Sequence, residues 1–490
     1  MLEIAVFLCG AVVMVIELTG SRVLAPYLGT SLVVWTSLIG IILASLSIGY
    51  WWGGRLADRH PEARLLGRII FLSAFATAFM TLIKTVVLGF LQAHGSGLHT
   101  AAMLATLILF APPSILIGMV SPFAVRLKLE DTRTSGRTAG KLYAISTIGS
   151  ISGTFLAGFV LIPWLGSTNI LLLMAAVLAL ASLLVERSHS RIKAAACATF
   201  LMMLFLVLSY DKRMAAAGFV DVDTPYNRVL VFNGPENNTG RVMRIMITGP
   251  YAWQSTMYLD DPCELALPYT CFYRLAEHFV PDMRRLLVLG GGGFSFPKYA
   301  MENYSNVRVD VVELDPGITE LARDYFGLRD HPRLNIIEED ARTFLNRNAE
   351  KYEVILCDVF NSHYAIPFHL TTVEAARRIR ASMTPDGVVL INLLSAIEGD
   401  RGRFFRALFA TYASTFPKVM AFAVDNPHDP SGWQNIIIAA FASEAELPVL
   451  SPDRELASML ANRIKTPVVM DTPPLTDDFA PVDRYISSSW

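Results

Sequence analysis

Charged residues are scarce in this chain. Asp, Glu, Lys and Arg make up only 17% of its 490 residues, whereas 53% are hydrophobic and the mean hydropathy is +0.43. Soluble domains carry about 25% charged residues, so this composition excludes an ordinary soluble protein and predicts a membrane portion. The formal net charge of -2 excludes the basic excess typical of nucleic-acid-binding proteins, and we expect no nucleic-acid partner.

Cysteine is also rare. The chain has five Cys, and no two of them form a C-x-x-C pattern. This spacing argues against a zinc or thioredoxin-like site, and we predict no metal. Cys263 and Cys271 are close in sequence and are either two ordinary thiols or a disulfide pair. The second alternative requires that their domain face an oxidising compartment.

Long apolar segments fill the first 213 residues. A helix needs about 20 residues to cross a bilayer. Seven segments approach or exceed that length: residues 4–26, 31–52, 68–91, 99–123, 142–164, 168–185 and 194–210. The first is followed by further segments, so it is interpreted as an anchor and not as a cleaved signal peptide. The sequence predicts an N-terminal all-α transmembrane bundle of about seven helices over residues 1–213, with the lipid bilayer as partner.

A glycine-rich turn follows a short apolar run in the C-terminal half. The run, residues 285–289, stops at four consecutive glycines, and a helix is expected to begin near Phe296. Such a turn lets a ligand approach the backbone closely. A nicotinamide site would have the spacing G-x-G-x-x-G, whereas this spacing resembles that of an S-adenosylmethionine site. The residues expected to contact that ligand are Gly290, Gly291 and Gly292.

Acidic residues follow the next three predicted strands. Glu313 ends the second strand, where a carboxylate can accept both hydroxyls of a ribose. Asp340 and Ala341 end the third strand, and Asp358 ends the fourth. The pattern predicts an α/β Rossmann-like domain of the S-adenosylmethionine-dependent transferase type over residues 280–490, with candidate residues at the carboxyl ends of its strands. Shorter alternating segments before it predict a small antiparallel β-sheet over residues 214–279.

These segments resemble the spermidine synthase, or polyamine aminopropyltransferase, domain. The resemblance rests on Leu289 to Gly293, Val312 to Pro316, Asp340 and Asp358. Nearly the whole chain is similar to bacterial membrane-fused spermidine-synthase-like proteins, which carry transmembrane helices ahead of that domain. The resemblance implies S-adenosylmethionine or its decarboxylated form as a substrate, a multi-pass location in a bacterial inner membrane and, as in many aminopropyltransferases, a homodimer.

Two acidic positions of that family are replaced here. The Asp inside the family's glycine loop corresponds to Gly293, and the second acid of its catalytic loop corresponds to Asn361, whereas Asp358 is kept. Each lost acid removes about 4 kcal/mol of Coulomb attraction for a diamine at an effective dielectric near 20. We therefore expect an altered acceptor site that takes a small-molecule amine of lower charge or an apolar acceptor.

The candidate catalytic residues are Asp358 and His363. Asp358 is interpreted as the base or amine anchor, and His363 as a second base with a pKa suited to neutral pH. By the resemblance, Gln254 and Tyr269 contact the substrate from the small sheet. Asn361 and Tyr364 are further candidates for substrate contact.

Three functions are compatible with these features. The first is a membrane-bound transferase of the spermidine synthase type, and the second is a methyl or other alkyl transferase that keeps the same nucleoside. The third is a non-enzymatic transporter or ligand-sensing protein whose nucleotide-type domain gates the helices. The presence of Glu313, Asp340 and Asp358 favours the first two.

The distribution of positive charge predicts on which side of the membrane the C-terminal domain lies. Lys and Arg concentrate in the second, fourth and sixth connections between the apolar segments, so these and the N-terminus are predicted to be cytoplasmic. Seven crossings would then place everything after Tyr210 outside. The seventh segment is short and basic on both sides, so it is alternatively interfacial or re-entrant. Because S-adenosylmethionine is a cytosolic metabolite, we expect a cytoplasmic catalytic domain.

Overall fold

The computed structural model describes residues 1–94, 97–129, 131, 134–186, 209, 212–236, 239–249, 253–359, 366–445 and 450–487. Internal contacts divide the chain into two compact units, Met1–Arg228 and Val229–Trp490. We call the first the helical unit and the second the α/β unit. The sequence places the boundary earlier, at residue 213.

The helical unit consists mainly of long helices. Their bounds are α1 (Leu2–Leu28), α2 (Leu32–Arg59), α3 (Ala63–Ala93), α4 (Leu98–Leu109), α5 (Ala111–Gly118), α6 (Val120–Lys128), α7 (Ser135–Trp164, with a π-helical turn at Ala157–Leu161) and α8 (Ser167–Val185). A short strand, β1 (Val220–Asp223), lies near the end of this unit.

Among the described residues, five helices are long and apolar enough to cross a membrane: α1, α2, α3, α7 and α8. A sixth candidate span consists of α4 and the continuous pair α5 and α6, with a 49° bend between them. Pro112 and Pro113 lie at the start of α5, next to this bend, and proline is a usual cause of a bend in a helix. Six of the seven predicted spans correspond to helices, and the seventh, residues 194–210, lies outside the described residues.

The surface of the helical unit is apolar. Val86 and Phe159 are each 73% exposed, and Trp164 is 82% exposed. Water would make such a surface costly, whereas lipid chains cover it without penalty. Inside, α1 and α7 pack backbone to backbone, because a Cβ at Gly149 would lie 2.1 Å from Phe7 O. Close approach through glycine is a usual way to join helices in a membrane.

A small antiparallel sheet begins the α/β unit. Its strands are β2 (Arg228–Pro235), β3 (Val242–Ile247) and β4 (Ser255–Tyr258). β3 pairs antiparallel with both neighbours, as in the partners Val231↔Met246 and Ile245↔Thr256. The predicted small sheet ahead of the Rossmann-like domain is therefore confirmed.

A seven-stranded sheet follows. Its strands are β5 (Arg285–Leu289), β6 (Arg308–Glu313), β7 (Leu334–Glu338), β8 (Tyr352–Cys357), β9 (Met383–Ser395), β10 (Lys418–Ala423) and β11 (Gln434–Phe441). The spatial order is β10-β11-β9-β8-β5-β6-β7. The strands from β9 to β7 are parallel, and β11 pairs antiparallel with both β9 and β10.

Helices connect and cover these strands. Their bounds are α9 (Pro268–Phe272), α10 (Leu275–Phe279), α11 (Ser295–Asn303), α12 (Pro316–Tyr325), α13 (Ala341–Arg347), α14 (Val373–Ala381), α15 (Arg403–Ala413), α16 (Arg454–Ala461) and α17 (Val482–Ser487). Central strands such as β8 are buried along almost their whole length, which explains their continuous apolar sequences. The predicted Rossmann-like architecture is confirmed.

The strand order creates one switch point. The chain proceeds from β5 to β6 and β7 on one side, and then returns to place β8 on the other side of β5. Ligands of open α/β sheets bind outside the carboxyl ends of the strands at such a point. The turn after Leu289 and the residue after Cys357 both lie there, since these two residues are register partners.

Candidate active site

The glycine turn after β5 is tight enough to exclude side chains. Gly290 has φ 91° and Gly292 has φ 50°, values that favour glycine. A Cβ at Gly290 would lie 2.0 Å from Asp358 O, far inside van der Waals contact. The turn is therefore packed directly against the backbone of the residue that follows β8.

We expect Gly290→Ala to destabilise the α/β unit strongly. The substitution adds both the strain of a left-handed residue, about 1–2 kcal/mol, and a clash with Asp358 O. Thermal unfolding of the detergent-purified protein measures the loss. Gly399→Ala is the matched control, because Gly399 also has positive φ (68°) but a Cβ there would meet nothing within 4 Å. Equal melting temperatures for the two variants would contradict the close packing at Gly290.

Glu313 holds the glycine turn through its carboxylate. Glu313 Oε2 accepts hydrogen bonds from Gly291 N (2.7 Å) and Gly292 N (3.2 Å), and Oε1 accepts one from Asp315 N (3.0 Å). Burial raises the pKa of the Glu313 carboxyl, although these three N–H donors oppose the rise. The buried carboxylate thus fixes the turn and faces the cavity described below.

Asp340 begins α13 as its N-cap. Its Oδ1 accepts a hydrogen bond from Thr343 N at 2.9 Å. Its Oδ2 lies 3.4 Å from Nε2 of His369, a residue that the sequence analysis did not single out. One carboxylate therefore caps the helix and contacts a histidine that also lines the cavity described below.

Asp358 lies in a group of polar side chains from four elements. Asn392 Nδ2, on β9, donates to Asp358 Oδ1 at 3.2 Å, and Asn435 Nδ2, on β11, donates to Asn392 Oδ1 at 2.9 Å. The second bond orients the Asn392 amide so that its NH₂ group faces the carboxylate. Burial raises the pKa of Asp358, while Asn392 and the hydroxyls of Tyr269 and Tyr273 lower it, and burial prevails.

The two tyrosines stay neutral donors. Burial and the nearby Asp358 carboxylate raise the pKa of Tyr269 and that of Tyr273 well above the ordinary value. Within the described part of the chain, the buried Gln254 Oε1 has no hydrogen-bond partner. A buried polar atom without a hydrogen-bond partner indicates that a ligand with polar groups completes the site.

We expect Asn392→Ala to move the pH dependence of the site. Asn392 favours the charged form of Asp358, so its removal raises the pKa of that carboxyl further. A reaction that needs the carboxylate would then have its acid limb at higher pH, by about one unit for a hydrogen bond of about 1.4 kcal/mol. The pH profile of the transfer rate, or of ligand binding, measures the shift.

Asn335→Ala is the control for this prediction. Asn335 Nδ2 also donates to an Asp on a neighbouring strand, Asp310, at 3.0 Å, but it lies away from the cavity. An unchanged profile in Asn392→Ala, or the same shift in both variants, would show that Asn392 does not influence the titrating group.

A cavity of about 470 Å³ unites these groups. It lies in the α/β unit at the switch point between β5 and β8. The predicted site residues that line it are Gln254, Tyr269, Gly290, Gly291, Gly292, Glu313, Asp340, Ala341 and Asp358. The other three candidates, Asn361, His363 and Tyr364, lie outside the described residues, so their roles stay predictions.

Several lining residues escaped the sequence analysis. Tyr273 is one helical turn after Tyr269, a spacing that could have indicated a shared face. Asn392 and Asn435 interrupt the apolar runs of β9 and β11, and a polar residue within a buried strand is a usable signal. His369 gave no signal, because its proximity to Asp340 depends on the path of the chain after β8.

Gly293, which replaces an acid of the family pattern, has close neighbours. Gly293 N donates to Ser255 Oγ at 2.8 Å, and a Cβ at Gly293 would lie 2.9 Å from Ser255 Cβ and 3.1 Å from Phe326 Cδ1. A side chain at this position would therefore require Ser255 or Phe326 to shift.

Cys263 and Cys271, elsewhere in this unit, are free thiols.

The sheet order, the glycine turn at the switch point and the acidic residues at the strand ends define the α/β unit as a Rossmann-like domain of the nucleoside-dependent transferase type. More particularly, residues 272–446 form a spermine/spermidine synthase domain, because they match the family model of that description. Relatives of known name agree with this assignment.

A polyamine aminopropyltransferase of Vibrio vulnificus is 32% identical over 174 residues, which cover 34% of this chain and 56% of that protein. Polyamine aminopropyltransferase 1 of Streptomyces coelicolor is 24% identical over 423 residues, 80% of this chain and 75% of that protein. A crystal structure of a probable spermidine synthase from Corynebacterium glutamicum superposes with a TM-score of 0.41 at 22% identity, covering 53% of this chain and 91% of that chain. This chain thus spans little more than half the length of the Vibrio relative.

Proposed function

We propose that the chain is a membrane-anchored transferase that uses S-adenosylmethionine or its decarboxylated form to alkylate an acceptor of low charge. The observation that carries the proposal is the single cavity in which the glycine turn, Glu313 and Asp340 face Asp358. The first three are the residue types that hold a nucleoside, and the last is the residue type that takes a proton.

The residues present fit a sulfonium nucleoside. The turn at Gly290 to Gly292 admits close approach, and the buried Glu313 carboxylate offers acceptor capacity for ribose hydroxyls. By the family resemblance, Asp340 would contact the adenine. The buried Gln254 Oε1, which has no hydrogen-bond partner among the described residues, would accept a hydrogen bond from a bound substrate.

Asp358 would act as the general base. When the acceptor nitrogen attacks the carbon next to sulfur, the new C–N bond forms as the C–S bond breaks, and the thioether nucleoside leaves. The proton released by the nitrogen passes to the Asp358 carboxylate. Burial raises the pKa of this group, so the carboxylate is a stronger base than an exposed aspartate.

The acceptor would carry less charge than a diamine. Ser255 and Phe326 lie close beside Gly293, where the resemblance places an acid. The cavity itself is lined in part by the apolar side chains of Trp253, Leu267 and Ile366. These apolar side chains favour a small amine with an apolar body, or an apolar acceptor. The helical unit would then keep the enzyme beside a lipid-soluble substrate.

Methyl or other alkyl transfer is the second candidate, and Gly293 supports it. Without an acid at this position, the site lacks the group that the resemblance assigns to amine recognition, whereas the contacts for the nucleoside are kept. The intact nucleoside, with its amino acid carboxylate, would then meet no repulsion from residue 293.

Calorimetry on the detergent-purified full chain tests the proposal. We expect at least one of the two nucleosides to bind, and Glu313→Ala to abolish the binding. Preference for the decarboxylated form supports aminopropyl transfer, and preference for the intact form supports methyl or other alkyl transfer. Binding of neither would refute the transferase proposal and leave a transporter or sensor. Formation of spermidine at an ordinary rate from putrescine would refute the altered acceptor site.

A further inference from the structure

The two ends of the helical unit differ in charge. At one end, Glu3 at the start of α1 pairs with Lys141 in the second turn of α7 (2.9 Å) and with Lys128 at the end of α6. At the same end, Arg126 in α6 pairs with Asp58 in the last turn of α2 (3.3 Å). We call this the basic end. The adjoining helix termini add Arg55, Arg59, Arg64, Arg68 and Arg137.

The last residues of the helical unit are held at the opposite end. Asp223 accepts hydrogen bonds from Ser167 N (2.8 Å) and Ser167 Oγ (3.3 Å), at the first residue of α8. Arg22, two turns before the end of α1, donates to Thr224 O at 2.9 Å. We call this the exit end. The cations of the described residues at or near this end are Arg22, Lys84, Lys212, Arg213 and Arg228, fewer than at the basic end. Lys84 is buried and bonded to Thr168, and Arg228 pairs with Asp221.

The end of α8 and the residues around Asp223 lie at opposite ends of the helical unit. Ser182, near the end of α8, donates to Gly67 O near the start of α3 at 2.7 Å, so α8 ends at the basic end. At Asp223 the chain lies at the exit end, because Asp223 contacts the first residue of α8. The 19 residues of α8 correspond to about 28 Å at 1.5 Å per residue, close to the thickness of a hydrocarbon core. The seventh apolar run of the sequence, residues 194–210, falls between these two points, and nearly all of it lies outside the described residues.

We propose that the α/β unit lies on the non-cytoplasmic side of the membrane and takes its acceptor from the outer compartment or the outer leaflet. Basic helix ends face the cytoplasm, so the exit end faces outward, and the α/β unit begins at Val229, directly after residues held there. No described helix after residue 228 is long and apolar enough to return the chain across the membrane.

The proposed orientation affects how a nucleoside substrate would reach the cavity of the α/β unit. A sulfonium nucleoside is permanently charged, and a charge at the centre of a bilayer costs at least about 2.5 kcal/mol. If the site binds the nucleoside named under the proposed function, that substrate has to be exported or taken up from outside. The inference about orientation does not itself rest on the proposed function, because it uses contacts within the helical unit.

Single-cysteine labelling of the full chain in right-side-out bacterial spheroplasts tests the orientation. The native cysteines are replaced, and a membrane-impermeant maleimide is the probe. Asp330→Cys and Asp386→Cys report on two exposed positions of the α/β unit. Thr30→Cys, between α1 and α2 at the exit end, is the outward control. Pro61→Cys, between α2 and α3 at the basic end, is the inward control.

We expect both reporters to label in intact spheroplasts as fully as after detergent, like Thr30→Cys, whereas Pro61→Cys labels only after detergent. Reporters that label only after detergent would overturn the proposal, and labelling of Pro61→Cys in intact spheroplasts would overturn it as well. The two reporters guard against local misfolding at one position. Calorimetry in detergent measures nucleoside binding without regard to the orientation of the protein in a membrane. Failure of the proposed function is therefore seen in calorimetry, and failure of the proposed orientation is seen in the labelling experiment.

Discussion

Asp358→Asn is expected to abolish group transfer while leaving nucleoside binding nearly unchanged. Asparagine keeps the size of the side chain and an oxygen that can accept from Asn392 Nδ2, so the cavity keeps its shape. It cannot accept the proton that the attacking nitrogen releases. Loss of a general base typically lowers a rate by about 10²- to 10⁴-fold. The measurement is formation of the thioether nucleoside in single turnover, together with calorimetric binding of the nucleoside.

The control for this prediction is Asp310→Asn. Asp310 lies on β6 and accepts a hydrogen bond from Tyr352 Oη at 2.9 Å, so it is also a partly buried, hydrogen-bonded aspartate of the same sheet. It does not line the cavity. Wild-type turnover in Asp358→Asn would remove Asp358 from the chemistry. Equal losses in the two variants would indicate a general effect of altering a buried carboxylate.

Glu313→Gln is expected to weaken nucleoside binding by at least about 100-fold, which corresponds to about 2.7 kcal/mol. The carboxylate accepts three backbone N–H groups, and an amide in its place turns one acceptor into a donor that faces N–H groups. The substitution therefore releases the glycine turn and removes acceptor capacity for ribose hydroxyls at the same time. Calorimetry with the nucleoside that the wild-type protein prefers measures the loss.

Glu338→Gln is the matched control. Glu338 is the register partner of Glu313 at the end of the neighbouring strand β7, but it is exposed and does not line the cavity. We expect the affinity of the Glu338→Gln variant for the nucleoside to stay within a few-fold of the wild-type value. Unchanged affinity in Glu313→Gln would mean that the nucleoside does not bind over the glycine turn, and the assignment of the site would then be wrong.

Local sequence patterns were enough for most of the architecture. Apolar segments of membrane length became helices such as α1 and α3, because a helix satisfies its own backbone and only apolar side chains can face lipid. The apolar run before Gly290 became a buried strand for a similar reason, and the order of strand, glycine turn and helix fixed the fold class. The acids after β6, β7 and β8 converge because parallel strands share one carboxyl edge.

Partners that depend on the strand order were beyond the sequence. Asn392 reaches Asp358 because β9 lies beside β8, and Asn435 reaches Asn392 because β11 inserts antiparallel beside β9. No spacing within the chain encodes either neighbour. The contact of His369 with Asp340 likewise joins residues whose separation in sequence has no relation to their distance in space.

The sequence by itself determined that this protein has apolar helices long enough to span a membrane, followed by a Rossmann-like domain of the spermidine synthase type, because hydrophobic length, glycine turns and strand-end acids are local properties. It also supplied the uneven distribution of basic residues. Only the tertiary structure decided how Asp358 is hydrogen-bonded and which side chains lie beside residue 293. It also decided at which end of the helices Asp223 is held. Each of these depends on segments distant in the chain, and packing alone brings such segments into contact.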